Sequence, residues 1–208
     1  MTFSTLTIGV LALQGAFAEH VAMLRRLGAT AREVRVPSDL DDLDGLIIPG
    51  GESTTIGKLL VAYELLEPLR ALVGRDFPIY GTCAGAILLA RDIGGLDQPL
   101  LATMDLTVER NAFGRQLQSF ETDLRIAGLD GEPFRAIFVR APAIRRVGAG
   151  VDMLAALADG TIVAARQGNL VVSCFHPELT DDDRFHRLFL EQVQVARAAS
   201  SAEAIAAR

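Results

Sequence analysis

The chain has 208 residues, of which half are hydrophobic and 22% are charged, a composition that excludes a disordered or fibrous protein. Its net charge of −6 lacks the surplus of cations that a non-specific nucleic-acid binder needs. No apolar run approaches the roughly 18 residues that cross a bilayer, and the N-terminus has no basic start of a signal peptide. We therefore expect a soluble, cytoplasmic protein that binds neither nucleic acid nor membrane.

The first half of the chain alternates between strand and helix patterns. Apolar residues recur at helical spacing from Phe17 to Leu27, and a second helix is predicted over Thr54–Val73. The predicted strands are nearly continuous apolar runs at Thr7–Leu13, Ala31–Val36, Gly45–Pro49 and Pro78–Thr82. Strands and helices that alternate at this spacing are typical of a parallel α/β sheet.

Beyond residue 100, short strand-like segments follow one another, as in hairpins or a meander added to the main sheet. They are Asp105–Glu109, Phe120–Ile126, Ala136–Val139, Met153–Leu157, Thr161–Arg166 and Leu170–Phe175. A C-terminal helix with one apolar face begins near Phe185. The chain has no internal repeat and no linker, so we predict a single domain over residues 1–197 and a frayed, alanine-rich tail over 198–208.

Metal binding is not expected from this sequence. The acidic run Asp39–Asp44 lacks the glycine and glutamate spacing of a calcium loop and is read as a solvated turn. The two cysteines, Cys83 and Cys174, have no CxxC spacing and cannot complete a zinc site by themselves. Each thiol is therefore either a core residue or a nucleophile.

A Gly-x-Cys-x-Gly sequence surrounds Cys83, between the predicted strand Pro78–Thr82 and the helical run Ala86–Ala90. Such a strand–turn–helix elbow lifts its central residue out of the sheet into a strained backbone conformation. A helix N-terminus favours a thiolate, and the N–H of Ala84 would be placed to donate to an oxyanion. The alternative is a cysteine packed at a strand end, with glycines that serve a turn.

His176-Pro177-Glu178 follows the last predicted strand. Residues two apart in an extended segment share a face, so Glu178 can accept the imidazole N–H of His176 and stabilise the imidazolium. The other two histidines, His20 and His186, lie within amphipathic helices and are predicted to be structural. Cys174 lies inside the last strand and is predicted to be a core residue.

The segment Pro49–Thr55 contains a glycine pair, Gly50-Gly51, after a buried strand. Such a pair allows backbone N–H groups to converge on an anion. Lys58 does not have the spacing of a phosphate-binding loop, so an oxyanion-hole strand opposite the nucleophile fits better. The alternative is a plain turn in which Ser53 or Thr54 caps the next helix.

Together and in this order, PGGESTT, GTCAGA and HPE resemble the motifs of the class I (triad) glutamine amidotransferases. Longer segments narrow the resemblance to the glutaminase subunits of pyridoxal 5′-phosphate synthase, and it runs from the first strand to the last helix. These segments are LALQGAFAEH (Leu11–His20), PGGESTTIGKLL (Pro49–Leu60), TVERNAFGRQLQSFE (Thr107–Glu121), FVRAP (Phe138–Pro142) and SCFHPELTDDDRFHRLFL (Ser173–Leu190).

The resemblance implies a flavodoxin-like three-layer α/β sandwich with a mostly parallel central sheet and added antiparallel strands. It implies hydrolysis of L-glutamine to L-glutamate and ammonia, with no cofactor and no metal. The ammonia would pass to a TIM-barrel synthase subunit, within a large hetero-oligomer that makes pyridoxal 5′-phosphate (vitamin B6).

The family pattern also assigns roles to residues. Cys83 would form a glutamyl thioester, His176 would move protons and Glu178 would orient His176. The N–H groups of Gly51 and Ala84 would hold the oxyanion, and Gln14 would lie near the partner interface. The glutamine site would comprise Gly51, Glu52, Ser53, Arg110, Val139 and Arg140.

Two other functions remain open at this stage. One is a glutaminase subunit of another synthase, such as imidazole glycerol phosphate synthase. The other is a non-catalytic, chaperone-like protein with a redox-sensing elbow cysteine. The His176-Pro177-Glu178 sequence argues against the second, because a sensor needs no general base.

Overall fold

The computed structural model describes residues 3–114 and 119–206. The helices are α1 (Phe17–Arg26), α2 (Ser53–Ala62), α3 (Leu66–Val73), α4 (Ala84–Leu89) and α5 (Arg184–Ala206), with short 3-10 turns at Pro37–Leu40 and Pro177–Leu179. The strands are β1 (Thr7–Leu11), β2 (Thr30–Val34), β3 (Gly45–Ile48), β4 (Ile79–Thr82), β5 (Ala90–Asp92), β6 (Met104–Glu109), β7 (Ser119–Leu124), β8 (Phe134–Val139), β9 (Ala143–Val147), β10 (Asp152–Ala156), β11 (Ile162–Gln167) and β12 (Leu170–Ser173).

Five strands form a parallel core in the order β2-β1-β3-β4-β12. This is the 2-1-3-4-5 order of one common doubly wound sheet, with β12 in the fifth place. Beyond β12 the sheet continues through β11, β9 and β6, each antiparallel to the strand before it, and β5 forms the edge parallel to β6. β10 pairs antiparallel with β11 beside this path. β7 and β8 form a separate antiparallel pair. The predicted parallel sheet with added antiparallel strands is confirmed.

Helices cover both faces of this sheet. Tyr80 and Gly81 are neighbours in β4, so they face opposite sides. The Tyr80 ring packs against Phe185 and Phe189 of α5, with centroid distances of 5.3 and 5.7 Å. On the other side, a Cβ at Gly81 would lie 2.8 Å from the Leu89 side chain of α4. Since α1 contacts α5 and α2 packs against α4, the predicted three layers are confirmed.

The single helix predicted over Thr54–Val73 is wrong, because the chain forms two helices there, α2 and α3. Glu64 lies between them with a φ of 56°, a left-handed conformation that does not continue an α-helix. The N–H of Leu65 then donates to the carbonyl of Leu60 at 2.8 Å, and both side chains are fully buried. The apolar spacing continues across the break and did not reveal it, but Pro68 in the first turn of α3 lacks the N–H that would bond the Glu64 carbonyl and is a signal of the new helix.

Smaller differences concern the strands. β5 and β9 were not predicted, and the strand predicted over Leu170–Phe175 ends at Ser173. The acidic run forms the expected turn, in which the Asp39 carboxylate accepts the N–H groups of Arg35 and Val36 at 2.9 and 3.0 Å.

The end of the chain is helical as far as the structure describes it. α5 continues to Ala206, so residues 198–206 belong to a helix, and residues 207 and 208 lie outside the described residues. Residues 115–118 of the Thr107–Glu121 segment also lie outside them. The single domain over 1–197 stays a prediction. Within the described ranges, no helix combines the length and the hydropathy that crossing a membrane requires.

Candidate active site

Three neighbouring parallel strands deliver the candidate residues to one edge of the sheet. β3, β4 and β12 lie side by side, with Ile48 opposite Gly81 and Thr82 opposite Ser173. Parallel strands end at the same edge, where doubly wound proteins form their ligand crevice. The glycine loop follows β3, Cys83 follows β4 and His176 follows β12, so residues that are far apart in the chain become neighbours.

Cys83 has the strained backbone that the elbow motif predicts. Its φ is 47° and its ψ is −99°, and it immediately precedes α4. Its N–H donates to the carbonyl of Ser173 at 2.7 Å, which ties the elbow to β12. The flanking glycines are needed for space: a Cβ at Gly85 would overlap the carbonyl oxygen of Ile48. The strain is held by this close packing and leaves Cys83 7% exposed.

His176 is fixed through both its backbone and its ring. Its N–H donates to the carbonyl of Ile137 in β8 at 2.8 Å. Its Nδ1 lies 2.6 Å from Oε1 of Glu178, and its ring lies beside the Cys83 side chain, since a Cβ at Gly50 would contact both. The expected extended geometry is wrong, because Pro177–Leu179 is a 3-10 turn. The turn still brings the carboxylate onto the imidazole.

The charges of this group follow from burial and contact. Burial disfavours a charged His176, but its hydrogen bonds with Cys83 and Glu178 outweigh that effect and raise the pKa of His176 to about 10. Burial also acts to raise the pKa of Glu178, yet the neighbouring imidazoles of His20 and His176 lower it. In this geometry an imidazolium therefore faces a carboxylate at neutral pH.

The second cysteine lies in a different environment. Cys174 is fully buried, and burial together with the nearby Cys83 raises the pKa of its thiol far above the usual range. A buried neutral thiol is inert as a nucleophile. This is the core cysteine that the sequence predicts.

The glycine loop is held in place by the loop that follows β1. The carbonyl of Gly50 accepts the N–H of Ala16 at 3.0 Å, and the Gln14 side-chain oxygen accepts the N–H of Glu52 at 2.7 Å. A Cβ at Gly50 would overlap Cε1 of His176. The absence of a side chain there lets the loop approach the imidazole.

Helix α2 is capped by Glu52 rather than by Ser53 or Thr54. The Glu52 carboxylate accepts the N–H groups of Thr54 and Thr55 at 3.2 and 2.7 Å, and it also pairs with Arg110 at 3.0 Å. Burial opposes ionisation, but the hydrogen bonds from Thr55 dominate and lower the pKa of Glu52 to about 2. The cap therefore depends on an ionised carboxylate.

These loops enclose a cleft of about 320 Å³, within the range of roughly 300–1,000 Å³ that small-molecule sites occupy. Of the predicted site residues, Ala84 and Glu178 do not line it and are buried behind it. Those that line it are Gln14, Gly51, Glu52, Ser53, Cys83, Arg110, Val139, Arg140 and His176. Four further residues that line it, Gly15, Ala16, Ile87 and Asn111, were given no role from the sequence, although Gly15, Ala16 and Asn111 lie in segments that carry the resemblance.

Arg110 is oriented from three sides. Its guanidinium contacts Glu52 Oε1, Thr54 Oγ1 and the Gln98 side-chain oxygen at 3.0, 3.0 and 3.1 Å. Gln98 was not predicted, since a single glutamine in a polar loop gives no motif. Arg140 takes a left-handed φ of 43° after β8 and reaches the same cleft.

A larger depression, of about 590 Å³, lies at the opposite edge of the sheet, where β3, β4 and β12 begin. Pro78 and Asn169 line it together with Arg197 of α5. It holds no cysteine or histidine, so the nucleophile and the base identify the smaller cleft as the candidate active site.

Comparison with known proteins places the chain in a family. The sequence profile of the SNO glutamine amidotransferase family matches residues 10–195. The chain belongs to this family. A protein of Roseiflexus castenholzii named pyridoxal 5′-phosphate synthase subunit PdxT is 58% identical over 188 residues, which cover 89% of this chain and 100% of that protein. A protein of the same name from Chloroflexus aurantiacus is 56% identical over 191 residues, with 89% and 100% covered.

The family also explains the fold. A solved crystal structure of a glutamine amidotransferase superposes with a TM-score of 0.86 at 52% identity, and it covers 90% of this chain and 98% of that one. The three layers and the 2-1-3-4-5 core are thus those of the flavodoxin-like glutamine amidotransferases. As a member of the SNO family, this chain is an enzyme of the glutamine amidotransferase type.

Proposed function

We propose that this chain is the glutaminase subunit of a pyridoxal 5′-phosphate synthase. In this proposal it hydrolyses the side-chain amide of L-glutamine to L-glutamate and ammonia, through Cys83, His176 and Glu178. The ammonia passes to a TIM-barrel synthase subunit in a large hetero-oligomer. The names of the relatives that are 55–58% identical support pyridoxal 5′-phosphate over imidazole glycerol phosphate as the product of the pathway.

The observation that carries the proposal is the line of contacts from a strained cysteine to a buried acid. Cys83, with its φ of 47°, lies beside His176 in the cleft, and Nδ1 of that ring contacts Glu178 at 2.6 Å. A nucleophile, a base and an orienting group in this order are the parts that acyl transfer requires. A redox sensor would need neither the base nor the acid behind it.

The charges of the cleft suit an α-amino acid. Arg110 and Arg140 carry guanidinium groups, whose fork geometry matches the α-carboxylate of glutamine. Contacts with Glu52, Thr54 and Gln98 hold Arg110 in one orientation, which lowers the entropy lost on binding. Gly51, Ser53 and Val139 complete the proposed glutamine site.

In the first half of the reaction, the Cys83 sulfur attacks the side-chain amide carbon of glutamine. His176 has taken the thiol proton, as its raised pKa favours, and it then gives that proton to the departing nitrogen. Ammonia leaves, and a glutamyl thioester remains on Cys83. The N–H groups of Gly51 and Ala84 stabilise the oxyanion of the tetrahedral intermediate.

In the second half, His176 removes a proton from water as the water oxygen attacks the thioester carbon. The carbon–sulfur bond breaks, glutamate leaves, and the Cys83 thiolate and the His176 imidazolium are restored. Throughout both steps Glu178 keeps the Nδ1–H of His176 directed at its Oε1 and stabilises the imidazolium.

The experiment that tests the proposal measures glutamate released from L-glutamine by the purified chain, with and without the synthase subunit. We expect release that needs Cys83 and rises when the synthase subunit is added. No release under either condition, or release that a Cys83→Ala variant retains, would overturn the proposal. If the synthase subunit of imidazole glycerol phosphate synthesis activates the chain instead, the glutaminase assignment stands and the pathway is wrong.

A further inference from the structure

The chain has three histidines, and two of them lie outside the proposed triad. His20 in α1 and His186 in α5 are both fully buried, although they are 166 positions apart. The Nδ1 of His20 lies 2.9 Å from the Nε2 of His186. The sequence predicts both as structural residues of amphipathic helices and gives no indication that the two rings meet.

The other nitrogen of His20 faces the proposed active site from behind. Its Nε2 lies 3.1 Å from Thr82 Oγ1 and 3.5 Å from Oε2 of Glu178. Oε1 of Glu178 contacts His176, but Oε2 is buried and makes no hydrogen bond with any described residue. His20 places its Nε2 next to this oxygen, so Glu178 lies between two imidazoles.

The pKa values of His20 and His186 are both lowered, which favours the neutral imidazole at neutral pH. Burial lowers the pKa of His20, and the nearby Glu178 carboxylate offsets this only in part. Burial is the main cause that lowers the pKa of His186 well below its usual value, and the nearby His20 lowers it further. Each ring therefore carries a single N–H, and two arrangements of these protons are compatible with the 2.9 Å contact.

The surroundings distinguish the two arrangements. If His20 carried its proton on Nδ1, its Nε2 lone pair would face the Glu178 carboxylate, and the Nδ1–H of His186 would be buried without an acceptor among the described residues. If His186 donates from Nε2, the Nε2–H of His20 can donate to Thr82 Oγ1 at 3.1 Å and lies 3.5 Å from Glu178 Oε2. Nδ1 of His186 is then a buried acceptor without a partner among the described residues, which is less costly than a buried donor without an acceptor.

We propose that His20 is a positioning residue, whose Nε2–H lies between Thr82 Oγ1 at 3.1 Å and Glu178 Oε2 at 3.5 Å and helps to hold the carboxylate in line with His176, while His186 fixes the tautomer of His20. This inference rests on the proposed function, since it gives Glu178 its role behind the base. At 3.5 Å the contact is a charge–dipole interaction, and catalytic contacts of this length often shorten when substrate binds.

A positioning role predicts a specific change in kinetics. A carboxylate that can rotate away from His176 stabilises the imidazolium less well in the transition state, while glutamine still binds to the same cleft. Loss of the His20 N–H should therefore lower kcat and leave KM nearly unchanged. A purely structural role would instead lower thermal stability, with activity per folded molecule unchanged.

The kinetic test uses three variants in complex with the synthase subunit. His20→Leu removes the donor, and His20→Gln restores an N–H near the position of Nε2. Tyr80→Phe is the matched control, because the Tyr80 ring packs against both imidazoles and its hydroxyl bonds Ser173 instead of Glu178. We expect kcat for glutamine hydrolysis to fall about tenfold in His20→Leu, as when the partner behind a functional histidine is removed, and to recover in His20→Gln. Wild-type kcat in His20→Leu would overturn the proposal.

A spectroscopic test does not depend on activity. With ¹⁵N-labelled histidine, the spectrum contains three imidazoles, from His20, His176 and His186. We expect His20 and His186 both as neutral Nε2–H tautomers, and a displaced His176 Nδ1–H resonance in His20→Leu. A His20 found as the Nδ1–H tautomer would contradict the proposal. If the wild type releases no glutamate, the proposed function fails, and the His20 tautomer still decides whether the contact with Glu178 exists.

Discussion

Thr82 and Ser173 lie opposite each other in the parallel pair of β4 and β12, and this register brings Cys83 next to the segment that carries His176. The N–H of Cys83 donates to the carbonyl of Ser173, which locks the two strand ends together. Cys83 and His176, which are 93 positions apart in the chain, therefore meet through a backbone ladder that tolerates little movement. The proposed nucleophile and base are thus held by the sheet rather than by flexible loops.

The two cysteines should differ in every functional respect. Cys83→Ser should abolish glutamate release with little change in stability, because the elbow is shaped by Gly81 and Gly85. Cys174→Ser should leave the mechanism intact and lower the free energy of unfolding by about 1–3 kcal/mol, because it places a hydroxyl in a fully buried site. Glutamate release and denaturant unfolding of both variants check this. Retained hydrolysis in Cys83→Ser, with loss in Cys174→Ser at equal folding, would contradict the assignment.

Glu178→Gln should lower kcat by about 10²- to 10⁴-fold and change KM much less. The amide keeps the size of the side chain but removes the charge that stabilises the imidazolium. The loss should be smaller than in His176→Ala, because His176 moves the proton and Glu178 orients it. Glu191→Gln, at an exposed position of α5, is the matched control. Equal kcat in Glu178→Gln and the wild type would mean that another group holds His176.

The chain alone should be a poor glutaminase that gains activity when the synthase subunit binds. Free ammonia released into water is mostly protonated and lost as a nucleophile, so hydrolysis should be coupled to a bound acceptor. The peptide between Gly50 and Gly51 offers a means, since glycines on both sides let it rotate at low steric cost once the hydrogen bond from the Ala16 N–H to the Gly50 carbonyl is released, and the rotation can aim an N–H at the oxyanion. One such donor is worth about 10²- to 10³-fold in rate. A titration of steady-state glutamate release with synthase subunit measures this gain.

Glycine variants examine the same loop. Gly50→Ala should lose hydrolysis with and without synthase, because the new methyl group would overlap the imidazole of His176. Gly74→Ala is the matched control, since a Cβ there would approach no atom closer than 3.6 Å. Should the isolated chain already reach the kcat of the complex, the oxyanion hole is preformed and the hinge proposal is wrong.

The Glu52 cap should make α2 sensitive to acid. Its folded pKa of about 2 lies below the ordinary value of 4.5. The ionised carboxylate therefore stabilises the fold fully at pH values above 4.5, and this stabilisation is lost as the pH falls through about 2. At neutral pH Glu52→Gln should cost about 1 kcal/mol, a typical cap contribution, because the group is nearly half exposed. Unfolding experiments should show that the difference in free energy of unfolding between the wild type and Glu52→Gln narrows below about pH 5.

A second carboxylate, Glu67, serves as a control that distinguishes the effect of a helix cap from that of an exposed ion pair. Glu67 pairs with Arg70 on α3 and is 75% exposed, so Glu67→Gln should cost less than about 0.5 kcal/mol at any pH. The capping role would be contradicted if the free energy of unfolding lost in Glu52→Gln were constant with pH, or were no larger than the loss in Glu67→Gln.

Much of the fold could be predicted from the sequence, because buried parallel strands are continuous apolar runs and elbows carry glycines at fixed spacing. Cys83 and His176 were recognisable since each follows such a strand. The break at Glu64 was missed although Pro68, in the first turn of α3, cannot donate to the carbonyl of Glu64 and so marks a new helix. The environment of His20 could not be predicted either, since its partners come from α5 and from the turn after β12. Periodicity shows which face of a helix is buried but not which distant residue it meets.

The most direct test of the central claim is covalent labelling with an electrophilic chloroketone analogue of glutamine, followed by peptide mass spectrometry of the complex. The chain has two cysteines, so the site of modification is unambiguous. We predict a single adduct on Cys83, which L-glutamine prevents by competition and which His176→Ala slows. An adduct on Cys174, or labelling of Cys83 that glutamine does not slow, would contradict the claim that Cys83 attacks glutamine in this cleft.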